Sequence, residues 1–175
     1  MYSYNRYSKH LHKQSLQASE AIATQTNAVA PHQLKGDQRL MTLLNVGRGL
    51  LANTANYYSA IYNDDSPVKN DPLVRTLYMD ELKDLKRLQE AEFLITQNTP
   101  TTALEDLIVT RPQTTGLDLL EETLMLEMDN CKFFCDLLLS LPASELRDIL
   151  YELIVDAQNH ASLLNFLMSK YYGQS

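Results

Sequence analysis

The feature that most constrains this chain is a three- and four-residue spacing of apolar side chains that continues from Asp37 almost to the end. It divides into four segments, starting near Asp37, Pro72, Leu117 and Ser144, each about 20 to 30 residues long. Residues at this spacing lie on one face of a helix, which then packs inward. The chain is 45% hydrophobic with only 5 glycines, which favours helices over a turn-rich β fold. We therefore expect an all-α protein with four long helices.

The lengths of the linkers predict how these helices are connected. A short break around Pro67 separates the first two helices, and Pro142 separates the last two. Short connections of this kind make sequential helices antiparallel neighbours. The link between the second and third helices, from Asn98 to Thr115, is long enough to travel the length of a bundle. We therefore expect a four-helix bundle with a long crossover between helices 2 and 3, which makes those two helices parallel.

The first 38 residues differ in composition from the rest of the chain. They hold three of the ten tyrosines and three of the four histidines, with many Ser, Gln and Thr residues. We expect residues 1–38 to form a polar N-terminal extension that is partly flexible or contains a short helix. Residues 39–175 are expected to form the bundle.

Charge and hydropathy exclude several classes of partner. The net charge of −7 and the pI of about 5.0 do not favour binding to nucleic acid or to anionic lipid. No run of apolar residues approaches the roughly 18 to 20 needed to span a membrane, and the N-terminus has no apolar signal-peptide core. We expect a cytoplasmic protein without a nucleic-acid or membrane partner.

Two local patterns in the predicted helices have a plain structural interpretation. Basic and acidic residues alternate along the second helix, which is typical of a solvated helix face; they are Lys83, Lys86 and Arg87 with Asp84, Glu90 and Glu92. In the third helix, Cys131 and Cys135 are four residues apart, too far for an unstrained disulfide. We interpret them as two small buried thiols, with a redox or soft-metal role as the alternative.

Polar residues interrupt the apolar faces of three helices. Glu81 lies on the apolar stripe of the second helix, Glu127 on that of the third, and Asp156 and His160 on that of the fourth. Glu127 precedes the turn at Leu141 by about as many residues as Asp156 follows it, so antiparallel packing brings the two to one level. The sequence therefore predicts that Glu81, Glu127, Asp156 and His160 converge at mid-bundle.

Buried carboxylates are costly unless they are paired with a cation or bound to a metal. Three interpretations of this group remain open. A hard or borderline metal ion could take the carboxylate oxygens and the His160 nitrogen. Alternatively, a protonated His160 pairs with one carboxylate while the others bond to tyrosines or water. In the third, the assigned faces are displaced by one step and some of these groups face solvent.

Four stretches, one from each predicted helix, carry a resemblance to a known family. They are "LLANTANYYSAIY", "YMDELKDLKRL", "LMLEMDNCKFF" and "DAQNHASLL". Together they resemble the ferritin-like, rubrerythrin-type superfamily over about residues 40–172. The resemblance implies a ferritin-like four-helix bundle with the long crossover described above.

In that superfamily, six side chains bind two iron or manganese ions, and this chain keeps only part of the set. By resemblance, Glu81, Glu127 and His160 stand at ligand positions. The other three ligand positions hold Leu51, Asp84 and Ala157. Asp156 is adjacent to Ala157, but it points about 100° away around the helix. The resemblance therefore implies a degenerate centre.

Two functions follow as hypotheses. The first is a non-enzymatic, structural or interaction-type bundle without a cofactor, acting as a homo-oligomer or with a protein partner. The resemblance extends to spore-coat-type bundles, so a spore-associated location is included. The alternative is a metal-binding, oxidoreductase-like protein with iron or manganese in a mononuclear or incomplete dinuclear centre. No nucleophile triad or phosphate-binding loop suggests other chemistry, and we assign no catalytic residue.

Overall fold

The structure is a computed structural model that describes residues 34–96, 112–141 and 144–173. Within these residues the chain forms four α-helices and no strand, which confirms the all-α prediction at this level. The helices are α1 (Leu34–Asn63), α2 (Pro72–Thr96), α3 (Gly116–Ser140) and α4 (Glu145–Tyr172). Most of the predicted extension (1–38) and the middle of the predicted crossover lie outside the described residues. None of the described helices has both the length and the apolar character needed to cross a membrane.

The helix ends follow local rules only in part. Asp71 caps α2, because its Oδ1 accepts the backbone N–H of Leu73 at 2.9 Å, with Pro72 in the first turn. Ser144 precedes α4 with extended backbone, but its side chain makes no capping hydrogen bond. Helix α1 begins at Leu34, earlier than the predicted start at Asp37. An acidic residue is favourable within the first turn of a helix as well as at its cap. The sequence alone therefore could not show whether Asp37 precedes the helix or lies inside it.

Contacts between side chains give the relative directions of the helices. Tyr58 of α1 bonds to Glu127 of α3, and Thr54, one turn earlier, bonds to Asn130, one turn later. Rising numbers on α1 thus meet falling numbers on α3, so these helices are antiparallel. Helices α1 and α2 are also antiparallel, because the turn 64–71 joins them directly. Helices α2 and α3 therefore run in the same direction.

Helix α4 is antiparallel to both α2 and α3. On the α3 side, Glu127 contacts His160, and Cys131 contacts Gln158. On the α2 side, Glu81 lies near His160, while Arg87, further along α2, meets Glu152, which is earlier on α4. Helix α4 thus presents one face to the two parallel helices, which brings polar residues from three helices to the same level.

The apolar core is formed where all four helices contribute leucine and aromatic side chains. Its fully buried members include Leu44 of α1, Leu88 of α2, Phe134 of α3 and Leu150 of α4. Burial of side chains of this size stabilises a fold by about 1.5–3 kcal/mol each. This cluster fixes the spacing of the helices and therefore the distances between the polar groups described below.

One end of the bundle is closed by hydrogen bonds between elements that are distant in sequence. The buried carboxylate of Asp71 accepts Lys170 Nζ at 2.8 Å and the Tyr171 hydroxyl at 2.9 Å, which ties the C-terminal end of α4 to the start of α2. Gly116 begins α3 with φ +61°, a conformation that favours glycine, and its N–H bonds to Asp64 Oδ2 at 2.8 Å. These bonds hold α3 and α4 against the α1–α2 turn.

Candidate metal centre

Three buried side chains from three helices meet in the middle of the bundle. They are Glu81 of α2 and Glu127 of α3, each 1% exposed, and His160 of α4, 3% exposed. One ligand atom from each lies within 4.8 Å of the others. The sequence placed each of them on an inward face. The packing of α4 against α2 and α3 then brings the three faces together.

Hydrogen bonds orient this group around one oxygen atom. The Tyr58 hydroxyl of α1 donates to Glu127 Oε1 at 2.6 Å. His160 Nδ1 lies 3.1 Å from the same oxygen and 3.6 Å from Glu81 Oε2. The Tyr58 and His160 rings meet edge to face, with 6.1 Å between centroids. The imidazole nitrogen that faces the carboxylates is therefore Nδ1, and Tyr58 holds the Glu127 carboxylate in place from the opposite helix.

Each of the two glutamates keeps one oxygen with no hydrogen-bond partner among the described residues. These atoms are Glu81 Oε1 and Glu127 Oε2, and both are buried. A buried acceptor without a partner costs about 1–3 kcal/mol, and more when it is charged. Two such atoms within one cluster fit a site that takes a cation, because carboxylate oxygens are strong ligands for hard divalent ions.

The protonation of the group follows from its burial and its charges. Burial and the nearby Glu127 carboxylate raise the pKa of Glu81 to about 8. Burial lowers the pKa of His160, but the hydrogen bond to Glu127 and the Glu81 carboxylate outweigh it and raise the pKa to about 10. Burial and the Glu127 charge also raise the pKa of Tyr58 well above its ordinary value, so its hydroxyl stays protonated and donates.

The fourth predicted ligand, Asp156, lies in a separate contact. Its carboxylate is half-buried and pairs with Arg87 of α2, whose guanidinium also donates to Asp84 Oδ1 at 2.7 Å. The structure therefore brings together Glu81, Glu127 and His160, and it places Asp156 beside Asp84 instead. Burial and the Asp156 charge raise the pKa of Asp84 to about 7, despite the pairing with Arg87.

The predicted solvated face of α2 is wrong for two of its acidic residues. Asp84 is 2% exposed and Glu92 is 3% exposed. Steps of three and four residues from Glu81 lead to both positions, so they belong to its inward stripe. Each has a basic partner: Arg87 for Asp84, and the fully buried Arg48 of α1 for Glu92, at 2.9 Å. The alternation of charge concealed these contacts, because a charge pattern does not distinguish a solvated pair from a buried one.

The positions that the family resemblance leaves without ligands are closed by other side chains. Leu51 of α1 is 3% exposed and Ala157 of α4 is 4% exposed, so both are packed core residues. The described residues contain no second group of three ligand atoms comparable with that of Glu81, Glu127 and His160. The donor set is therefore two carboxylates and one imidazole. Tyr58 is a hydrogen-bonding neighbour of this set that the sequence did not predict.

The two cysteines of α3 are free and partly buried. Gln158 Nε2 donates to Cys131 Sγ at 3.6 Å, and burial raises the pKa of the Cys135 thiol. A raised pKa keeps that thiol protonated and unreactive near neutral pH. These contacts fit the structural interpretation of the pair.

Comparisons with known proteins add no assignment: no protein-family model, no curated protein and no solved structure matches this chain. The geometry of the site is therefore the basis for its function.

Proposed function

We propose that this protein is a ferritin-like bundle that binds one divalent transition-metal ion, iron or manganese, through Glu81, Glu127 and His160. The observation that carries the proposal is the convergence of three buried ligand atoms within 4.8 Å, two of them from carboxylates that retain a partnerless oxygen. Once the protons of Glu81 and His160 are displaced by the metal, two carboxylates also match the charge of a divalent ion. Parallel α2 and α3, each antiparallel to α4, support the ferritin-like topology.

The dimensions and chemistry of the group support this function. Two ligand atoms about 2.0–2.2 Å from one ion lie at most about 4.4 Å apart, so only a small side-chain adjustment separates the present arrangement from a coordinating one. Oxygen and imidazole ligands suit iron and manganese better than soft ions such as Cu(I). When bound, an ion with three protein ligands retains open positions and supplies Lewis-acid or redox chemistry there. Tyr58 keeps the Glu127 carboxylate oriented for it.

Equilibrium dialysis of the full chain against Mn(II), or against Fe(II) without oxygen, tests the proposal. We expect about one ion per chain by elemental analysis. Glu127→Gln keeps the size of the side chain and one acceptor oxygen for Tyr58 but removes the ligand charge, and should abolish binding, as should His160→Gln. Glu121→Gln is the matched control, because Glu121 is an exposed residue of the same helix. Wild-type protein without metal after dialysis would overturn the proposal, and so would equal binding by all the variants.

A second candidate is the metal-free bundle that acts by association, without an enzymatic activity. Two observations favour it. His160 and Tyr58 already supply Glu127 with a cationic partner and a hydrogen-bond donor. Several large apolar side chains are also exposed, among them Leu139 at 78% and Tyr151 at 62%, and exposed apolar residues are common at protein interfaces. We place it second because it leaves the partnerless oxygens of both glutamates without a role.

Association can be measured separately from metal binding. Sedimentation velocity over a wide range of protein concentration should show a dimer or a larger species for the second candidate. The Leu139→Ser and Tyr151→Ser variants should then shift the distribution toward monomer. Protein that stays monomeric at all concentrations, and that binds one metal ion, contradicts the second candidate as a homo-oligomer.

A further inference from the structure

A second pair of carboxylates lies one helical turn from the proposed metal ligands. Asp84 follows Glu81 by one turn of α2, and Asp156 precedes His160 by one turn of α4. Residues at such spacings are neighbours on a helix surface, with about 5–6 Å between their Cβ atoms. Asp84 is almost completely buried, and Asp156 is half-buried. Glu81 with His160 and Asp84 with Asp156 thus occupy adjacent levels of the contact between α2 and α4.

The second level is already occupied by a cation that the chain itself provides. Arg87 Nη1 donates to Asp84 Oδ1 at 2.7 Å on its own helix and to Asp156 Oδ2 on α4. Its Nε lies 3.5 Å from Glu152. One guanidinium therefore pairs with carboxylates from two helices. Because buried carboxylates need a compensating positive charge, this position needs no ion while Arg87 fills it.

We propose that Arg87 limits this centre to a single divalent cation by occupying the place that a second ion would take between Asp84 and Asp156. The inference rests on the proposed function for its first ion. A guanidinium and a divalent ion cannot occupy one position, and their like charges repel each other beside the buried Asp84 carboxylate. Arg87 is thus a residue that determines stoichiometry, and it does not itself contact the first ion.

Glu81 and Glu127, which would bind the first ion, also have oxygens that a second, neighbouring ion could share. Glu81 Oε1 and Glu127 Oε2 have no partner among the described residues, so each carboxylate keeps one oxygen available. In two-metal sites the ions lie about 3.5–4 Å apart and share such groups. Without Arg87, Asp84 and Asp156 would offer two further carboxylates one helical turn away from the Glu81 and His160 positions. The chemical class of the added ligand is a hard or borderline divalent cation such as Mn(II).

A matched control exists on the same helix. Lys83 pairs with Asp80 at the same three-residue spacing as Arg87 with Asp84, but both members are at least one-third exposed. Lys83→Gln therefore removes one positive charge from α2 without uncovering a buried carboxylate. Any general effect of the lost charge on metal affinity should be equal in Lys83→Gln and Arg87→Gln. A difference in stoichiometry isolates the buried position.

The test is equilibrium dialysis of the full chain against Mn(II), followed by elemental analysis. We expect one ion per chain for wild type and Lys83→Gln, and two for Arg87→Gln. The double variant Arg87→Gln/Asp84→Asn should return to one ion, because it lacks a ligand of the second position. Two ions in the double variant would overturn the role of Asp84.

Each remaining outcome decides between the inference and the proposed function. One ion in both wild type and Arg87→Gln overturns the inference and leaves the proposed function standing. No ion in wild type and one in Arg87→Gln overturns the proposed function but supports the exclusion of a cation by Arg87. No ion in either protein overturns both.

A thermal measurement covers the case in which Arg87→Gln is too unstable for dialysis. Without Arg87, the buried Asp84 carboxylate lacks its partner, so the variant should melt below wild type in EDTA. Mn(II) should then raise its melting temperature more than that of wild type, because ligands that bind only the native state stabilise it. An equal or smaller rise in the variant would overturn the inference.

Discussion

Replacement of Gly47 by alanine tests how closely α1 packs against its neighbours. A Cβ atom at Gly47 would lie 3.0 Å from Phe134 Cε1, 3.1 Å from Leu88 Cδ2 and 3.2 Å from Phe133 Cε1. All three distances are shorter than ordinary van der Waals contact. Phe134 and Leu88 are fully buried and cannot move freely. Gly49, on the same helix, provides the control, because a Cβ there would meet no atom within 4 Å.

Two opposing effects determine the result. Alanine is favoured over glycine in a helix interior by about 0.8–1 kcal/mol, and this gain applies at both positions. Overpacking a well-filled core costs about 1–3 kcal/mol, and this cost applies only at Gly47. We therefore expect Gly49→Ala to stabilise the fold by about 0.8–1 kcal/mol and Gly47→Ala to be neutral or destabilising by up to about 2 kcal/mol.

Urea unfolding followed by circular dichroism measures both free energies, and the urea dependence of each should stay the same if the native state stays compact. The two variants should differ by about 1–3 kcal/mol, the overpacking cost alone. In thermal unfolding, each kcal/mol corresponds to about 2–4 °C for a chain of this size. If Gly47→Ala stabilises the fold as much as Gly49→Ala, then α1 does not pack as closely against Leu88 and Phe134 as these distances indicate.

Two further predictions concern ionic contacts away from the proposed centre. Burial raises the pKa of Asp71, but the bonds from Lys170, Leu73 N–H and Tyr171 outweigh it and hold the pKa below its ordinary value. The Asp71 carboxylate therefore contributes its full stabilisation above a pH of about 4 and loses it as the pH falls further. The difference in melting temperature between wild type and Asp71→Asn should accordingly narrow in acid. A difference that stays constant with pH would contradict the role of the ionised carboxylate. Arg48→Met should cost about 3–5 kcal/mol in urea unfolding, because it breaks the buried ion pair with Glu92. Arg48→Met/Glu92→Leu should recover most of that loss. A double variant as unstable as the single one would show that Arg48 acts mainly through packing.

The sequence by itself determined the helices and the inward position of the three proposed ligands. Helical periodicity depends only on the chain's own spacing, so it places Glu81, Glu127 and His160 on apolar stripes whatever their neighbours are. The cap at Asp71 and the first-turn proline at position 72 are also local, because they satisfy backbone groups within a few residues. For the same reason, the deviations at helix ends are small.

Only the tertiary structure decided which side chains meet across helices. Periodicity gives the angle of a residue around its own helix, but not which neighbouring helix it faces or how far its side chain reaches. It therefore could not show that Tyr58 bonds to Glu127, or that Arg87 joins Asp84 to Asp156. Asp156 was predicted as a ligand because it lies at the right level. In the structure Asp156 pairs with Arg87 instead, because the long basic side chain of Arg87 on α2 reaches its carboxylate.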